Sequence, residues 1–274
     1  MEIQTSWKVL MQERLSGVEK NIPWFSADKK KAYDFSVKCG VAVPEIYGTL
    51  ERPNMLERVE LPERFVCKPL GLSSSNGIML LEYKKNGIYV NSMSKKEMSL
   101  REIISEQEYW FERVKYKKNY GLILEEWIIG EGQNKDEVPY DYKFFCYGDE
   151  VAYVSQYNRN TKKTSVNWFF GEFGSQNPEG KIECDWKYLV KGEPYVPSCA
   201  SELVAAAKKL SKELRTPFVR VDMYATEKGP MFGELTLTPG AAYYGKTYRY
   251  SKDFDTYCGL LWQKAKYELL FDGR

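Results

Sequence analysis

Residues 217–240, PFVRVDMYATEKGPMFGELTLTPG, contain two stretches of alternating polar and apolar side chains separated by a polar turn. Successive side chains of a β-strand point to opposite faces of a sheet. Arg220 and Asp222 therefore share one face of the first strand, and Glu234 and Thr236 share one face of the second. If the two strands pair as a hairpin, these four side chains converge on one surface.

Such a surface has two interpretations. Carboxylate and hydroxyl oxygens are the ligands that Mg²⁺ prefers, and Mg²⁺ usually binds together with phosphate groups. An arginine beside them suits a phosphate or a developing oxyanion. Polar side chains with cross-strand ion pairs also occur on ordinary solvated sheet faces. Alternation alone leaves both interpretations open.

A second candidate site begins at Lys68, which ends the short apolar stretch FVCK and precedes the Gly- and Ser-rich segment GLSSSNG at residues 71–77. Backbone N–H groups of such a loop can bind phosphate oxygens, and a lysine can neutralise them. The sequence lacks the order GxxxxGK[ST] of a P-loop. A glycine-rich turn beside a surface lysine is the alternative.

Two further segments carry weaker signals. In DYKFF, alternation places Asp141 and Lys143 on one face, and Arg159 at the end of the next strand can reach the same surface. An exposed ion pair of little energetic value is the alternative. Residues 121–129, GLILEEWII, favour a buried strand whose end near Glu125 could offer an apolar slot and backbone partners to a purine. An ordinary core strand would have the same pattern.

The 274 residues include no histidine. Ser-His and Cys-His catalysis, histidine general bases and zinc sites that need imidazole are therefore excluded. A net charge of +2 argues against a strongly basic nucleic-acid-binding protein. The six cysteines form no CxxC pair, so we expect reduced, buried thiols. The sequence shows no signal-peptide pattern and no apolar run of roughly 20 residues, so we expect a cytoplasmic protein without a membrane span.

Periodicity predicts a mixed α+β protein with mainly antiparallel strands. Predicted helices cover about residues 28–39, 99–110 and 201–214, together with a tail beyond Phe254. Ser26 and Ser201 are the predicted N-caps of the first and third helices. The predicted strands are residues 65–68, 78–82, 121–129, 141–147, 150–159, 218–224 and 231–238.

The order of these segments resembles the ATP-grasp superfamily, and within it the TupA-like (teichuronopeptide-biosynthesis-like) family found with polysaccharide gene clusters. The resemblance runs from about residue 28 to residue 262 and is most specific in DYKFFCYGDE, PFVRVDMY and FGELTLTPGAA. It implies two α+β subdomains that grip ATP between mainly antiparallel sheets. The implied divisions are an N-terminal helical region at 1–60, a small subdomain with the Gly/Ser loop at 61–125, and a C-terminal subdomain with the metal site at 126–274.

The resemblance also implies ATP as substrate and one or two Mg²⁺ ions as cofactors. Thr236 stands where many ATP-grasp enzymes have a metal-binding asparagine, so the sequence departs from the superfamily there. The implied catalytic residues are Lys143, Arg159 and Arg220; the implied nucleotide contacts are Lys68, Ser73, Ser74, Ser75, Asn76, Gly77, Glu125, Glu126, Trp127, Ile128 and Lys143; the implied metal ligands are Asp222, Glu234 and Thr236.

The resulting prediction is a carboxylate–amine ligase that acts through an acyl phosphate, on a sugar acid or a nucleotide-sugar or glycan-linked precursor. A kinase with the same fold and a non-catalytic glycan-binding module are the alternatives. The module would use aromatic platforms such as residues 168–170. By chain position, Tyr243, Tyr244, Lys246 and Arg249 could contact the acceptor, although a plain surface loop explains them equally well. No nucleic-acid partner is predicted, and the sequence leaves the oligomeric state open.

Overall fold

The computed structural model of the protein describes residues 6–72, 75–115, 117, 120–240, 243 and 245–271. In these residues the helices are α1 (Trp7–Leu15), α2 (Lys29–Lys38), α3 (Leu100–Phe111), α4 (Ala200–Glu213) and α5 (Lys252–Phe271). The strands are β1 (Ile46–Leu50), β2 (Arg64–Pro69), β3 (Met79–Lys85), β4 (Ile88–Asn91), β5 (Lys96–Ser99), β6 (Leu122–Glu125), β7 (Asp141–Tyr147), β8 (Glu150–Asn158), β9 (Ser165–Phe170), β10 (Ile182–Glu183), β11 (Val190–Lys191), β12 (Val219–Thr226), β13 (Gly229–Thr236) and β14 (Arg249–Tyr250).

The predicted mixed α+β class is confirmed, and the strands pair mainly antiparallel. No helix of the described part of the chain has the length and apolar character needed to cross a membrane. The cysteines, predicted to be reduced, form no disulfide bond in the described residues, and five of the six are buried.

The chain divides into two compact units. The 44–138 unit is Pro44–Val138, and the discontinuous unit combines the described residues up to Val43 with those from Pro139 onward. These divisions differ from the expected ones at 60/61 and 125/126. The segment before Val43 belongs with the C-terminal part because Phe232 of β13 donates its backbone N–H to the Ala42 carbonyl at 2.8 Å.

The described strands of the 44–138 unit form one sheet in the order β1-β6-β2-β3-β4-β5. Phe65 and Cys67 of β2 face α3 and pack with its buried Ile103. The N-terminus of α3 is fixed by a capping box, in which Ser99 and Glu102 bond each other's backbone N–H groups. The intervening residues of β2 point to the opposite face, which includes Lys68.

The described strands of the discontinuous unit form a sheet in the order β11-β9-β8-β7-β12-β13, beside the two-stranded sheet of β10 and β14. One face of the larger sheet packs against α2 and α4. The other packs against α1 and α5, where Phe218 stacks on Trp262 with ring centroids 4.9 Å apart. The buried guanidinium of Arg14 in α1 donates to the carbonyls of Phe218 and Leu237, each at 2.9 Å. This fastens α1 to the ends of β12 and β13.

Three local predictions were wrong. Asp28 caps α2 through the N–H groups of Lys30 and Lys31, whereas Ser26 bonds the Pro23 carbonyl in the preceding turn. The N-cap of α4 is Cys199, which makes no side-chain capping bond. The strand predicted at 121–129 is shorter, because the chain leaves the ladder after Glu125.

Candidate functional site

The residues predicted on β7, β12 and β13 meet on one face of the discontinuous unit's sheet. Asp222 of β12 lies opposite Lys143 of β7 and opposite Glu234 of β13, so the predicted hairpin is confirmed. The Asp222 carboxylate accepts hydrogen bonds from Nε and Nη2 of Arg220 at 2.6 and 2.7 Å, and from Lys143 Nζ. Because Asp222 is only 3% exposed, this surface is not an ordinary solvated sheet face.

Asp141 of β7 completes this charged cluster. Its Oδ2 accepts from Lys143 Nζ at 2.7 Å and from Arg159 Nη2 at 3.0 Å. Its buried Oδ1 has no hydrogen-bond partner within the described residues. Burial would raise the pKa of Asp141, but the charges of Lys143 and Arg159 outweigh it and hold the pKa at about 2. The sequence analysis did not include Asp141 among the site residues. The alternation that places Asp141 and Lys143 on one face was the pattern that could have indicated it.

Arg220 connects the two sides of the cluster. Its Nη2 also donates to Thr236 Oγ1 at 2.9 Å, so one guanidinium contacts β12 and β13 together. Burial would lower the pKa of Arg220, but Asp222 outweighs it, with further contributions from Glu234 and Asp141, and the pKa lies above its usual value. The guanidinium therefore stays charged at every physiological pH.

A β-bulge at Gly233 places Glu234 in the cluster. Asp222 pairs with Glu234 but Met223 pairs with Phe232, so Gly233 is an extra residue on β13. Phe232 consequently enters the core beneath α2 while Glu234 points to the opposite face, although a regular strand would place both on one face. A Cβ at Gly233 would lie 2.9 Å from Tyr224 Cε2 and 3.0 Å from the Asp222 carbonyl oxygen, so the close approach favours glycine.

In the 44–138 unit, Lys68 and Glu125 form a buried ion pair. Lys68 Nζ lies 2.7 Å from Glu125 Oε1, and the two residues are 8% and 4% exposed. Trp127 and Ile128 follow as buried residues, and the Arg64 guanidinium lies 4.2 Å from the Trp127 ring centroid. The structure thus brings together Lys68 and the segment 125–128, which the sequence analysis assigned to the nucleotide.

The Gly/Ser loop is described in part. Ser73 and Ser74 lie outside the described residues. Ser75 and Asn76 are exposed, whereas Gly77 is buried and its carbonyl accepts a hydrogen bond from Gln107 Nε2 at 2.7 Å. The C-terminal end of the loop is therefore anchored to α3.

Gly77→Ala is expected to lower the free energy of unfolding by about 2 kcal/mol. The backbone φ of Gly77 is +73°, and a Cβ there would lie 2.8 Å from Pro69 Cγ. Gly87→Ala is the matched control, because φ is +76° but nothing lies within 4 Å of the added Cβ. Urea unfolding of the two variants separates the cost of backbone strain from the cost of the contact with Pro69. Equal losses of stability in the two variants would contradict the contribution of that contact.

The donor set of the charged cluster suits magnesium. Asp222 and Glu234 lie directly opposite on one face and offer hard oxygen ligands. The described residues contain no group of three or more acidic or cysteine side chains arranged for a metal ion. Mg²⁺ does not require one, because it usually takes one or two protein carboxylates and completes its shell with water and substrate phosphates. Thr236 gives its hydroxyl oxygen to Arg220 instead, which favours a role in orienting that side chain.

Comparisons with known proteins identify the family of the chain. The family described as TupA-like ATPgrasp matches residues 6–262, so the chain belongs to the TupA-like ATP-grasp family, as its motifs suggested. No curated protein sequence matches the chain.

Several solved structures of ligases have folds similar to that of this chain. D-alanine–D-alanine ligase from Helicobacter pylori shows 17% identity and a TM-score of 0.49, with 87% of this chain and 58% of that one covered. The corresponding ligase from Bacillus anthracis, complexed with ATP, shows 17% identity and a TM-score of 0.48 over 89% and 67% of the two chains. D-cycloserine synthetase DcsG shows 13% identity and a TM-score of 0.47 over 94% and 78%. The chain thus spans less than two thirds of the Helicobacter ligase.

Proposed function

We propose that this protein is an ATP- and Mg²⁺-dependent ligase that joins a carboxylate to an amine. The observation that carries the proposal is the buried cluster in which Lys143, Arg159 and Arg220 surround two carboxylates on one sheet face. Three cations held in a poorly solvated place suit transferring phosphoryl groups, whose charge they stabilise without rearranging. Because the chain belongs to an ATP-grasp family, we take ATP as the phosphoryl donor.

Each group has a proposed task. Lys143 and Arg220 would neutralise the γ-phosphoryl oxygens, and Arg159 would contact the acyl phosphate or the acid. Asp222 and Glu234 would hold Mg²⁺, which when bound draws negative charge from the phosphate oxygens. Lys68 would neutralise nucleotide phosphate. By family resemblance, residues 125–128 would contact adenine and ribose, and Ser73, Ser74, Ser75, Asn76 and Gly77 would cover the triphosphate.

The chemistry agrees with a chain that lacks histidine. A carboxylate oxygen forms a bond to the γ-phosphorus and ADP leaves with the electrons of the broken P–O bond. The carboxylate is already ionised near pH 7, so this step needs no general base. The amine nitrogen then bonds to the acyl carbon and inorganic phosphate departs. Family resemblance favours a sugar acid or a glycan precursor of capsule or cell-surface polysaccharide as the acid, and ATP as substrate agrees with a cytoplasmic reaction.

Hydroxylamine provides a sharp test, because it replaces any amine and converts an acyl phosphate to a hydroxamate. With ATP, Mg²⁺ and a panel of sugar acids, we expect one acid to give hydroxamate, ADP and phosphate in equal amounts. The amide should then form when amines replace hydroxylamine. ADP accompanied by a stable phosphorylated product would contradict the ligase and indicate a kinase. No nucleotide binding at all would favour a binding module.

A further inference from the structure

Helix α5 presents large apolar side chains on the side that faces away from its own unit. Its inward side is fixed in the core, where Trp262 stacks on Phe218 and where a Cβ at Gly259 would lie 2.8 Å from the backbone of Ser6. None of the residues predicted to bind ATP or metal belongs to α5. Five outward-facing side chains are between 46% and 71% exposed: Tyr257, Leu260, Tyr267, Leu270 and Phe271.

The spacing on this outward side is that of a coiled-coil seam. Intervals that alternate between three and four residues keep side chains on one line along a helix, and two such lines can interlock. The ring centroids of Tyr267 and Phe271 lie 4.5 Å apart, so members of the line already touch one another. We call this line the α5 stripe; it consists of Asp253, Tyr257, Leu260, Lys264, Tyr267 and Phe271.

The exposed apolar area of α5 is sufficient for a stable interface with a second copy. The three aromatic side chains of the stripe leave about 300 Å² in solvent, taking roughly 150–250 Å² for each complete side chain. Leu260 and the adjacent Leu270 bring the apolar area to about 450 Å². A standard interface takes about 800 Å² from each partner, of which about 56–65% is apolar. Two α5 helices packed together would therefore supply the apolar area that such an interface requires.

Two charges on the α5 stripe determine how a second copy can bind. Asp253 has no ion-pair partner among the residues that the structure describes. Lys264 Nζ contacts Glu150 and lies 3.8 Å from Glu268, and an ammonium has three N–H donors to share. In a parallel pair of helices, Lys264 would face Lys264 of the second copy, and like charges repel. In an antiparallel pair, Asp253 can face Lys264 instead.

Charge pairing and apolar packing select the same antiparallel register. Placing Asp253 opposite Lys264 of the second copy also places Tyr257 opposite Leu260, because both pairs of positions are centred on the same point of the helix. Two ion pairs then flank two Tyr–Leu contacts, and the arrangement is identical for both copies, as a two-fold axis requires. Side chains of a helix lean toward its N-terminus, so Tyr267 reaches the first turn of the second copy's α5.

We propose that this chain forms a two-fold symmetric dimer in which two α5 helices pack antiparallel along the α5 stripe. The proposal is independent of the ligase, because it uses no residue of the charged cluster. We expect a dissociation constant of about 10 µM, since the apolar area is only of standard size and several long side chains lose freedom on binding. At 1 µM the chain should therefore be mainly monomeric, and stabilities of variants compared at that concentration are those of the single chain.

Sedimentation equilibrium of the full chain between 1 and 200 µM measures the association. Leu260→Glu and Tyr267→Glu each place a charge within the stripe and should raise the dissociation constant at least 10-fold. Val37→Glu on α2 and Tyr109→Glu on α3 are the matched controls, because their side chains are equally exposed on other helices. Both controls should associate like wild type. Circular dichroism at 1 µM checks that every variant is folded.

Cross-linking with a carbodiimide tests the antiparallel register, because this reagent joins a carboxylate to an ammonium only where the two groups touch. Asp253 and Lys264 lie about 16 Å apart along one helix, so an amide between them must join two copies. We expect this amide at 100 µM and not at 1 µM. The amide between Lys264 and Glu150 is the internal control and should form at both concentrations, since that contact lies within one chain.

A double-mutant cycle tests the same ion pair without a reagent. Asp253→Asn and Lys264→Met should each weaken the dimer by about 3- to 10-fold, since each dimer contains the pair twice. The double variant should be no weaker than the weaker single variant, because both substitutions remove one interaction. Effects that multiply in the double variant would overturn this register.

The remaining outcomes are equally decisive. A chain that stays monomeric up to 200 µM overturns the proposal, and binding of its stripe to lipid vesicles or to another protein would then identify a different occupant. A dimer that forms unchanged in both Leu260→Glu and Tyr267→Glu has its interface elsewhere and overturns the proposal as well. A dimer that requires the stripe but gives no amide between Asp253 and Lys264 contradicts the antiparallel arrangement.

Discussion

Asp222→Asn is expected to lower the rate of ADP formation about 10³-fold. The Asp222 carboxylate accepts from both Arg220 and Lys143, and it lies opposite Glu234. An asparagine keeps the shape but offers one oxygen and no charge, so it cannot hold both cations or contribute a carboxylate to Mg²⁺. The affected quantity should be kcat in the hydroxamate assay.

Measurements of unfolding temperature and of the rate of ADP formation distinguish loss of folded structure from loss of catalysis in Asp222→Asn. Asp222→Asn leaves two partly buried cations less well paired, so a lower unfolding temperature is expected as well. The rate is therefore measured well below that temperature, where circular dichroism shows the folded protein. Asp149→Asn, the same substitution at an exposed turn, should leave both rate and unfolding temperature unchanged. A folded Asp222→Asn protein with more than a tenth of the wild-type rate would contradict the assigned role.

The sequence was most informative where local patterns decide the structure. Alternation in residues 217–240 predicted the hairpin of β12 and β13 because its two strands adjoin a turn. It did not reveal the bulge, since Phe232 and Glu234 are two residues apart and only packing against α2 shows that they face opposite ways. The sequence analysis therefore placed Glu234 on the correct face without the bulge that sets Phe232 on the other.

Contacts between residues that are far apart in the sequence limited what could be predicted for other parts of the chain. Nothing local distinguishes Arg14 from a surface arginine, yet it is 1% exposed because two carbonyls and Glu19 satisfy its guanidinium. Alternation predicted that Asp141, Lys143 and Arg159 share a surface, but it left open an exposed ion pair, and only the packed sheet shows that Asp141 is 4% exposed. The short strands β4 and β5 also escaped prediction, because four-residue strands carry too little periodicity. The roles assigned to the site residues stay predictions.

Lys143→Met is expected to lower stability and ADP formation together. Lys143 Nζ lies between the carboxylates of Asp141 and Asp222, both buried on neighbouring strands. Without the ammonium, two negative charges face each other, and breaking a buried ion pair commonly lowers the free energy of unfolding by about 3–5 kcal/mol. We also expect ADP formation to fall about 10²-fold, because one phosphate-neutralising charge is lost.

The dependence on pH distinguishes lost electrostatics from lost packing. In the wild type, burial is outweighed by Lys143 and Arg159, so the pKa of Asp141 is about 2, below its ordinary 3.8. Its stabilising contribution is present above pH 3.8 and disappears as the pH falls through about 2. In Lys143→Met that pKa moves upward, and protonation relieves the repulsion. The difference in stability from wild type should therefore be smaller at pH 3 than at pH 7.

Urea unfolding at both pH values measures this difference. Lys264→Met, which removes an exposed ion pair with Glu150, is the matched control and should change stability by less than about 1 kcal/mol at either pH. An equal loss at pH 3 and pH 7 would show that the methylene stem of Lys143, rather than its charge, stabilises the fold. A loss that shrinks on acidification identifies the ammonium of Lys143 as the group that holds the two carboxylates together.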